Sequence, residues 1–147
     1  MLRVVFDTSV YIAAFITHGI PKQVLERARG RNKKIQLLAS VEIMNELGQK
    51  LREKFFWPER RIKETIKAIT HIAEIIQPQH SLKVLSDEED NRILECAVGG
   101  NADLIVSRDR HLLTLKKYQN IPIVTAVDLL HSVPASCQEQ KGEGGSP

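Results

Sequence analysis

Short apolar runs of β-favouring residues alternate with helical patterns along most of this 147-residue chain, and this alternation constrains the fold more than any other feature. Strands joined through helices run parallel, and right-handed crossovers then cover both faces of the sheet. We therefore predict an α/β fold, a three-layer α/β/α sandwich with a central, mainly parallel sheet. The predicted strands are residues 2–6, 35–39, 74–76, 103–106 and 121–124.

Helical patterns fill the intervals between these strands. Capping residues, first-turn prolines and a Gly-Gly stop set their predicted limits. They cover residues 10–16, 21–29, 40–51, 58–73, 87–98, 109–117 and 125–131. We assign residues 1–133 to a single domain and expect the Gly-, Ser-, Glu-, Gln- and Lys-rich tail, residues 134–147, to be disordered.

Composition narrows the class of protein. With 42% hydrophobic and 27% charged residues the chain reads as globular, and no apolar run approaches the ~20 residues of a membrane span. No basic-then-apolar leader opens the chain, so we expect a cytoplasmic protein without membrane association. Cys96 and Cys137 lack the spacing of a zinc site or a disulfide framework. The net charge of +3 suits nucleic acid, or equally a basic solvated surface.

The first strand ends in an acid followed by two hydroxyl residues, Asp7, Thr8 and Ser9. The carboxyl ends of strands are where open α/β sheets bind ligands. A plainer interpretation of this stretch alone is that Asp7 or Thr8 caps the next helix. The arrangement recurs after the strand that ends near Val106, where Ser107 and Asp109 follow. If the two strands are neighbours, both acids lie close together; Ser107 as a helix cap is compatible with that site.

Asp90 is the most informative acid of the chain. It lies three and four residues before Ile93 and Leu94, on the apolar stripe of its helix. A carboxylate on a core-facing stripe needs a partner, because burying an unpaired charge costs several kcal/mol. Its neighbours have plainer explanations: Ser86 and Glu89 fit a capping box.

Glu46 is the acid nearest the apolar face of its own helix. The helix stripe through Ile43, Leu47 and Leu51 leaves Glu46 at its edge, within reach of a cleft. The alternative is a solvated pair with Lys50 at i+4.

Carboxylates gathered within a few ångströms cannot all stay ionised without cations. A set of carboxylate and hydroxyl oxygens without His or Cys ligands prefers hard cations, Mg²⁺ or Mn²⁺. Such ions activate water for phosphodiester hydrolysis without a covalent nucleophile from the protein.

Four motifs in this order resemble the PIN-domain family of metal-dependent nucleases, especially its VapC-type toxins of toxin–antitoxin systems. They are V-V-F-D-T-S at the start, Glu46-Leu47, D-E-E-D-N-R-I-L-E-C-A around Asp90, and A-D-L-I-V-S-R-D ending at Asp109. The resemblance implies helices around a parallel sheet. It also implies a catalytic, metal-binding quartet made of Asp7, Glu46, Asp90 and Asp109.

The same resemblance places Ser107 at the family's hydroxyl position, and the sequence itself offers Thr8 and Ser9 as further hydroxyls beside the quartet. Two positions depart from the family pattern: Ser9 stands where many members have Asn, and Arg108 where Gly is frequent. Neither departure removes a metal ligand.

We interpret the chain as a divalent-metal-dependent ribonuclease, the toxin of a toxin–antitoxin pair. The resemblance implies RNA as substrate, a cognate antitoxin as partner and a homodimer. Arg108 and Arg110 are the expected RNA contacts, because they flank a proposed ligand. The aromatic run Phe55, Phe56 and Trp57 is interpreted as a packing or dimer contact rather than a base-stacking surface.

Other functions are weighed against this interpretation. A haloacid-dehalogenase-type phosphatase needs Asp-x-Asp after the first strand, and Ser9 occupies the second position. A response-regulator receiver needs paired acids there and a late-strand Lys, and the chain has neither. A non-catalytic RNA- or protein-binding PIN-like module stays open as the alternative function.

Overall fold

A computed structural model describes residues 1–132 of the chain. The predicted tail, residues 134–147, and the predicted domain end at residue 133 lie outside the described residues. Within them the strands are β1 (Leu2–Phe6), β2 (Ile35–Ala39), β3 (Glu74–Ile75), β4 (Leu104–Val106), β5 (Lys117–Tyr118) and β6 (Ile121–Val124). The helices are α1 (Thr8–Ile16), α2 (Ile20–Glu26), α3 (Val41–Glu53), α4 (Glu59–Ile72), α5 (Glu88–Gly99), α6 (Arg110–Leu115) and α7 (Ala126–Ser132).

The strands form one sheet in the order β3-β2-β1-β4-β6-β5. All neighbouring pairs are parallel except β5 with β6, and helices flank the sheet, so the predicted mainly parallel α/β sandwich is confirmed. The chain leaves β1 toward β2 and returns to place β4 on the other side of β1. This reversal of strand order opens a crevice at the carboxyl ends of β1 and β4.

Burial of the central strands on both faces explains why their sequences are apolar runs. Val4, Val5 and Phe6 of β1 have no exposed surface, and neither do Leu37 and Leu38 of β2. Both faces of the central strands are therefore covered, as parallel sheets require. Helix α5 packs against β1, β2 and β4, which brings its first turn toward the crevice.

Two helices end more than one residue before their predicted ends. Helix α2 ends at Glu26 instead of residue 29, because the chain turns back and the Arg27 carbonyl accepts hydrogen bonds from the N–H groups of Lys34 and Ile35. Helix α6 ends at Leu115 instead of residue 117, because Lys116 adopts a φ of 68° that ends the helix.

The antiparallel strand β5 was not predicted. Its residues pair with β6 across a two-residue turn, Gln119 and Asn120, both with positive φ (48° and 66°). Two consecutive left-handed residues are the conformation of tight hairpin turns, and Asn tolerates it. Among the described residues, no helix is long and apolar enough to cross a membrane.

Candidate active site

The carboxyl ends of β1 and β4 bring two predicted site residues into direct contact. Phe6 lies opposite Val106 in the parallel pairing, and the Asp7 N–H donates to the Val106 carbonyl at 3.0 Å. The Ser107 hydroxyl donates to Oδ2 of Asp7, and its Oγ accepts from the Asp109 N–H at 2.9 Å. One serine hydroxyl therefore links the two strand-end acids.

Asp7 caps α1 and also lines the cleft at the carboxyl ends of the strands. Its Oδ1 accepts from the N–H groups of Ser9 (2.8 Å) and Val10 (3.3 Å) and from the Ser9 hydroxyl, which caps α1. Oδ2 faces Ser107, and the side chain is buried. Burial raises the pKa of Asp7, although the hydrogen bonds from Ser107 and Ser9 oppose the rise.

Asp109 caps α6 through Oδ1, which accepts from the His111 N–H at 2.7 Å. The interpretation of Ser107 as the cap, with Asp109 inside the first turn, is wrong by two residues. The cause is the hydrogen bond from the Asp109 N–H to Ser107 Oγ, which holds Asp109 extended just before the helix. The His111 ring lies nearby, with Nδ1 3.8 Å from Oδ1.

Asp90, in the first turn of α5, is only 5% exposed. Its Oδ2 is buried without a hydrogen-bond partner within the described part of the chain. Burial, followed by the charges of Asp109, Asp87 and Asp7, raises its pKa from 3.8 to about 7. Ligand atoms of Asp90, Asp109 and His111 all lie within 4.8 Å of one another.

The predicted capping box before Asp90 is wrong. Asp87, rather than Ser86, caps α5, and its carboxylate accepts from the Glu89 N–H at 2.9 Å. Glu89 is thereby free of a capping role and its Oε1 lies 3.0 Å from Lys50 Nζ.

Glu46 reaches the cleft and pairs with Lys50 there, but the pair is largely buried (Glu46 is 11% exposed) rather than solvated. Its Oε2 accepts from the Thr8 hydroxyl (3.0 Å) and lies 3.1 Å from Lys50 Nζ, which also donates to Thr8 Oγ1 (2.9 Å). Burial raises the pKa of Glu46 despite the opposing charge of Lys50. Burial alone would lower the pKa of Lys50, but Glu89 and Glu46 together raise it, which keeps the ammonium charged.

All four predicted acids line one small cleft of about 40 Å³. A space of this size holds one water or ion rather than a nucleotide. Oxygen donors and an unpartnered buried carboxylate oxygen fit a hard cation. A larger apolar groove of about 410 Å³, which Phe15, Leu25 and Ile72 help to line, shares no residue with this cleft. The cleft is lined by Asp7, Thr8, Ser9, Glu46, Lys50, Glu89, Asp90, Ile93 and Asp109.

The predicted RNA contacts, Arg108 and Arg110, are exposed and do not line the cleft. Three residues of the site were not predicted. Lys50 was weighed only as a solvated partner, Glu89 as a cap, and His111 was given no role. The sequence signals for two of them are the i+4 spacing of Lys50 from Glu46 and the position of His111 two residues after Asp109. Glu89 had no such signal.

The aromatic run between α3 and α4 divides into two parts. Phe55 and Phe56 are exposed, Phe56 by 83% and with a φ of 56°, so packing within the chain does not explain Phe56. Trp57 is half-buried, and the Arg61 guanidinium stacks over its ring at 3.6 Å from the centroid.

Acids at the ends of parallel strands are the arrangement that the resemblance to the PIN-domain family implied, and comparison with known proteins identifies the same family. Residues 3–111 match the family model described as PIN domain, and the chain belongs to that family. It is 33% identical over 121 residues to the uncharacterized protein MJ1680 of Methanocaldococcus jannaschii, a match that covers 78% of this chain and 76% of the relative.

Solved structures share the fold. One is VapBC2 from Rickettsia felis bound to a DNA fragment from their promoter, with a TM-score of 0.59 and 16% identity, covering 83% of this chain and 97% of that chain. Another is VapBC-1 from nontypeable Haemophilus influenzae, with a TM-score of 0.59 and 13% identity, covering 86% of this chain and 99% of that chain.

Proposed function

We propose that this PIN-domain protein is a divalent-metal-dependent ribonuclease that hydrolyses phosphodiester bonds in RNA. The observation that carries the proposal is the Asp90 carboxylate: its buried Oδ2 has no partner in the described residues, and one of its oxygens lies within 4.8 Å of ligand atoms of Asp109 and His111. Leaving a buried carboxylate unpaired is costly, and a hard cation removes that cost. Asp7, Asp90 and Asp109 would hold Mg²⁺ or Mn²⁺, with Glu46 ligating directly or through water.

When bound, such an ion supplies an activated water and stabilises charge on the phosphate. The chain's own residues fix the ligands and handle the proton. Ser107 fixes the positions of Asp7 and Asp109 relative to each other through two hydrogen bonds. Thr8 holds Oε2 of Glu46, and within the described structure no hydrogen bond uses its Oε1. Because burial raises the pKa of Glu46, Oε1 is suited to accept a proton from the attacking water.

The size of the cleft determines how RNA approaches. Because about 40 Å³ excludes a nucleotide, the scissile phosphate must lie across the mouth of the cleft with its bases outside. The exposed side chains of Arg108 and Arg110 lie next in sequence to Asp109 and are available to neighbouring phosphates. RNA as the substrate rests further on the motifs shared with VapC-type toxins.

We further propose that the protein is the toxin of a toxin–antitoxin pair and forms a homodimer. Supporting this role, two of the solved structures that share the fold are of VapBC proteins. The apolar groove beside Phe15, Leu25 and Ile72 offers a seat for an antitoxin segment. Exposed Phe55 and Phe56 offer apolar surface for a second copy. Light scattering of the purified chain tests the dimer: a monomeric mass at micromolar concentration contradicts it.

The decisive experiment measures cleavage of labelled single-stranded RNA with Mg²⁺ or Mn²⁺. Wild type should cut, whereas Asp7→Asn and Asp90→Asn should lose at least about 100-fold in rate, because losing a metal ligand should cost no less than the ~10–100-fold typical of losing a residue that only orients one. Glu88→Gln is the matched control, since Glu88 lies in the same turn of α5 but is 69% exposed and pairs with Arg92. Equal cleavage by wild type and both Asn variants would refute the proposed site.

The same assay separates the alternative function. A wild-type protein that shifts RNA in a gel but never cuts it, with either metal, is a binding module rather than a nuclease. Toxicity is tested separately: induced expression should arrest growth for wild type and not for Asp7→Asn.

A further inference from the structure

The cleft has two halves that differ in how their negative charge is balanced. Asp7, Asp90 and Asp109 form one half, and no Lys or Arg nitrogen lies within 4.0 Å of their carboxylates in residues 1–132. Glu46 and Glu89 form the other half, and both contact the ammonium of Lys50. Among the basic side chains of the described residues, the first half contacts only the His111 ring, whose Nδ1 lies 3.8 Å from Asp109, whereas the second already contains an ammonium.

Lys50 is held in place by three contacts. Its Nζ lies 3.1 Å from Glu46, 3.0 Å from Glu89 and 2.9 Å from Thr8 Oγ1. A lysine ammonium has three N–H donors, so these contacts use all of them. The side chain is only 22% exposed, and the Thr8 hydroxyl donates in turn to Glu46, which closes the triangle.

Three different elements supply these contacts, so the position of the ammonium is built into the fold. Thr8 begins α1, Glu46 and Lys50 lie one turn apart on α3, and Glu89 lies in the first turn of α5. A surface lysine that merely pairs at i+4 would have neither the contact from α1 nor the contact from α5.

We propose that the Lys50 ammonium is a resident cation on the Glu46 side of the cleft, so that the site binds one divalent ion rather than two. This inference rests on the proposed function. A second divalent ion bound by Glu46 would lie a few ångströms from a fixed positive charge, and like charges at that distance repel strongly in a partly buried site. Lys50 would thus take the place that a second metal occupies in two-metal phosphodiesterases.

The reaction would accordingly depend on two kinds of cation. The divalent ion would be held by Asp7, Asp90 and Asp109, and Glu46 would reach it through water only, while Lys50 would compensate phosphate charge at the mouth of the cleft. Glu89 is 48% exposed and is the partner of Lys50 that RNA phosphate can displace most easily.

The test counts Mn²⁺ ions bound to the purified full-length protein in the absence of RNA. Calorimetry gives the stoichiometry, and electron paramagnetic resonance shows whether two bound ions are spin-coupled. Wild type should bind one Mn²⁺ per chain, without coupling. Lys50→Met should bind two, with a coupled spectrum, because Glu46 and Glu89 lose their cation.

Two variants serve as controls. Lys50→Arg keeps the charge and should bind one ion. Lys54→Met removes an exposed lysine at the end of the same helix and should also bind one. Lys50→Gln repeats the neutral substitution in case the Met variant does not fold. If neither variant folds, the number of Mn²⁺ ions that wild type binds still tests the proposal.

The outcomes distinguish this inference from the proposed function. Two tightly bound ions in wild type would overturn the role of Lys50 and leave the nuclease intact, as would a single ion in both folded neutral variants. No bound Mn²⁺ in wild type would overturn both proposals.

Discussion

Replacing Asp90 with Asn should change the stability of the protein in opposite directions with and without a divalent cation. Without the ion, the pKa of Asp90 is about 7 in the folded chain, against 3.8 for the ordinary side chain. A difference of about three pH units corresponds to ~4 kcal/mol at pH 8. Water at the open edge of the cleft reduces this to about 2 kcal/mol. Asn is uncharged, so the variant should be more stable than wild type by about that amount.

The dependence on pH has a definite sign. Below pH 3.8 the Asp90 carboxyl is protonated in folded and unfolded chains alike, and the two proteins should differ little. Between pH 3.8 and about 7 the unfolded chain releases a proton that the folded chain retains. The stability of wild type therefore falls relative to Asp90→Asn as the pH rises through this window, and the difference is constant above it.

A bound cation reverses the order. At a free Mn²⁺ concentration of about 100 times its dissociation constant, binding stabilises the folded wild type by about 2.7 kcal/mol. Asp90→Asn lacks a ligand and should gain little. Each kcal/mol moves the melting temperature of a chain of this size by about 2–4 °C, so both differences are measurable.

The assay is thermal unfolding at pH 4.5, 6 and 8, in EDTA and in Mn²⁺. Glu88→Gln should follow wild type throughout, because its carboxylate is 69% exposed and does not line the cleft. The reasoning is refuted if Asp90→Asn is no more stable than wild type in EDTA at pH 8. It is equally refuted if Mn²⁺ raises both melting temperatures by the same amount.

Other substitutions test the positioning, the substrate contact and the packing. Ser107→Ala removes the hydroxyl that holds Asp7, and calorimetry should show Mn²⁺ affinity reduced about 10–100-fold; an unchanged affinity would contradict that role. Arg108→Ala should raise the KM for RNA, leave kcat unchanged and lower the salt dependence by about one ion; unaltered salt dependence would exclude a phosphate contact. Gly100→Ala would place a Cβ 2.9 Å from the Ile76 side chain and should cost about 1–3 kcal/mol in urea unfolding, with cleavage per folded molecule unchanged.

Much of the fold follows from local patterns that the sequence displays. β1, β2 and β6 begin and end where predicted because each is a mainly apolar run that ends at a polar residue, Asp7, Ser40 or Thr125. The convergence of Asp7 and Asp109 was conditional on the strands being neighbours, and the pairing of Phe6 with Val106 meets that condition. The stripe position of Asp90 correctly predicted its burial, because helical periodicity is a strong signal.

The part that escaped prediction depends on contacts between distant elements. Lys50 contacts Glu89, although the two residues are 39 positions apart in the sequence. An acid at the position of Glu89 is explained equally well by a capping role, so the sequence alone does not reveal the contact. Asp87 and Ser86 are both good capping residues, so the choice between them depends on how α5 packs against the sheet. Strand β5 is two residues long and carries no periodic signal.

Capping and metal binding are compatible roles for the acids of this site, and the first helps to explain the second. Asp7 and Asp109 each use Oδ1 to cap a helix, α1 and α6, while Asp90 lies in the first turn of α5. Three helix N-termini thus meet at the cleft, and their positive ends favour negative charge by about 0.3–1 kcal/mol each. The contribution of α5, whose first turn contains Asp90, is smaller than the charge penalty of that residue, about 2 kcal/mol, so the helices permit the cluster to form without neutralising it. The remaining imbalance is concentrated on Asp90, which is why this residue should control cation affinity while Asp7 and Asp109 also control local structure.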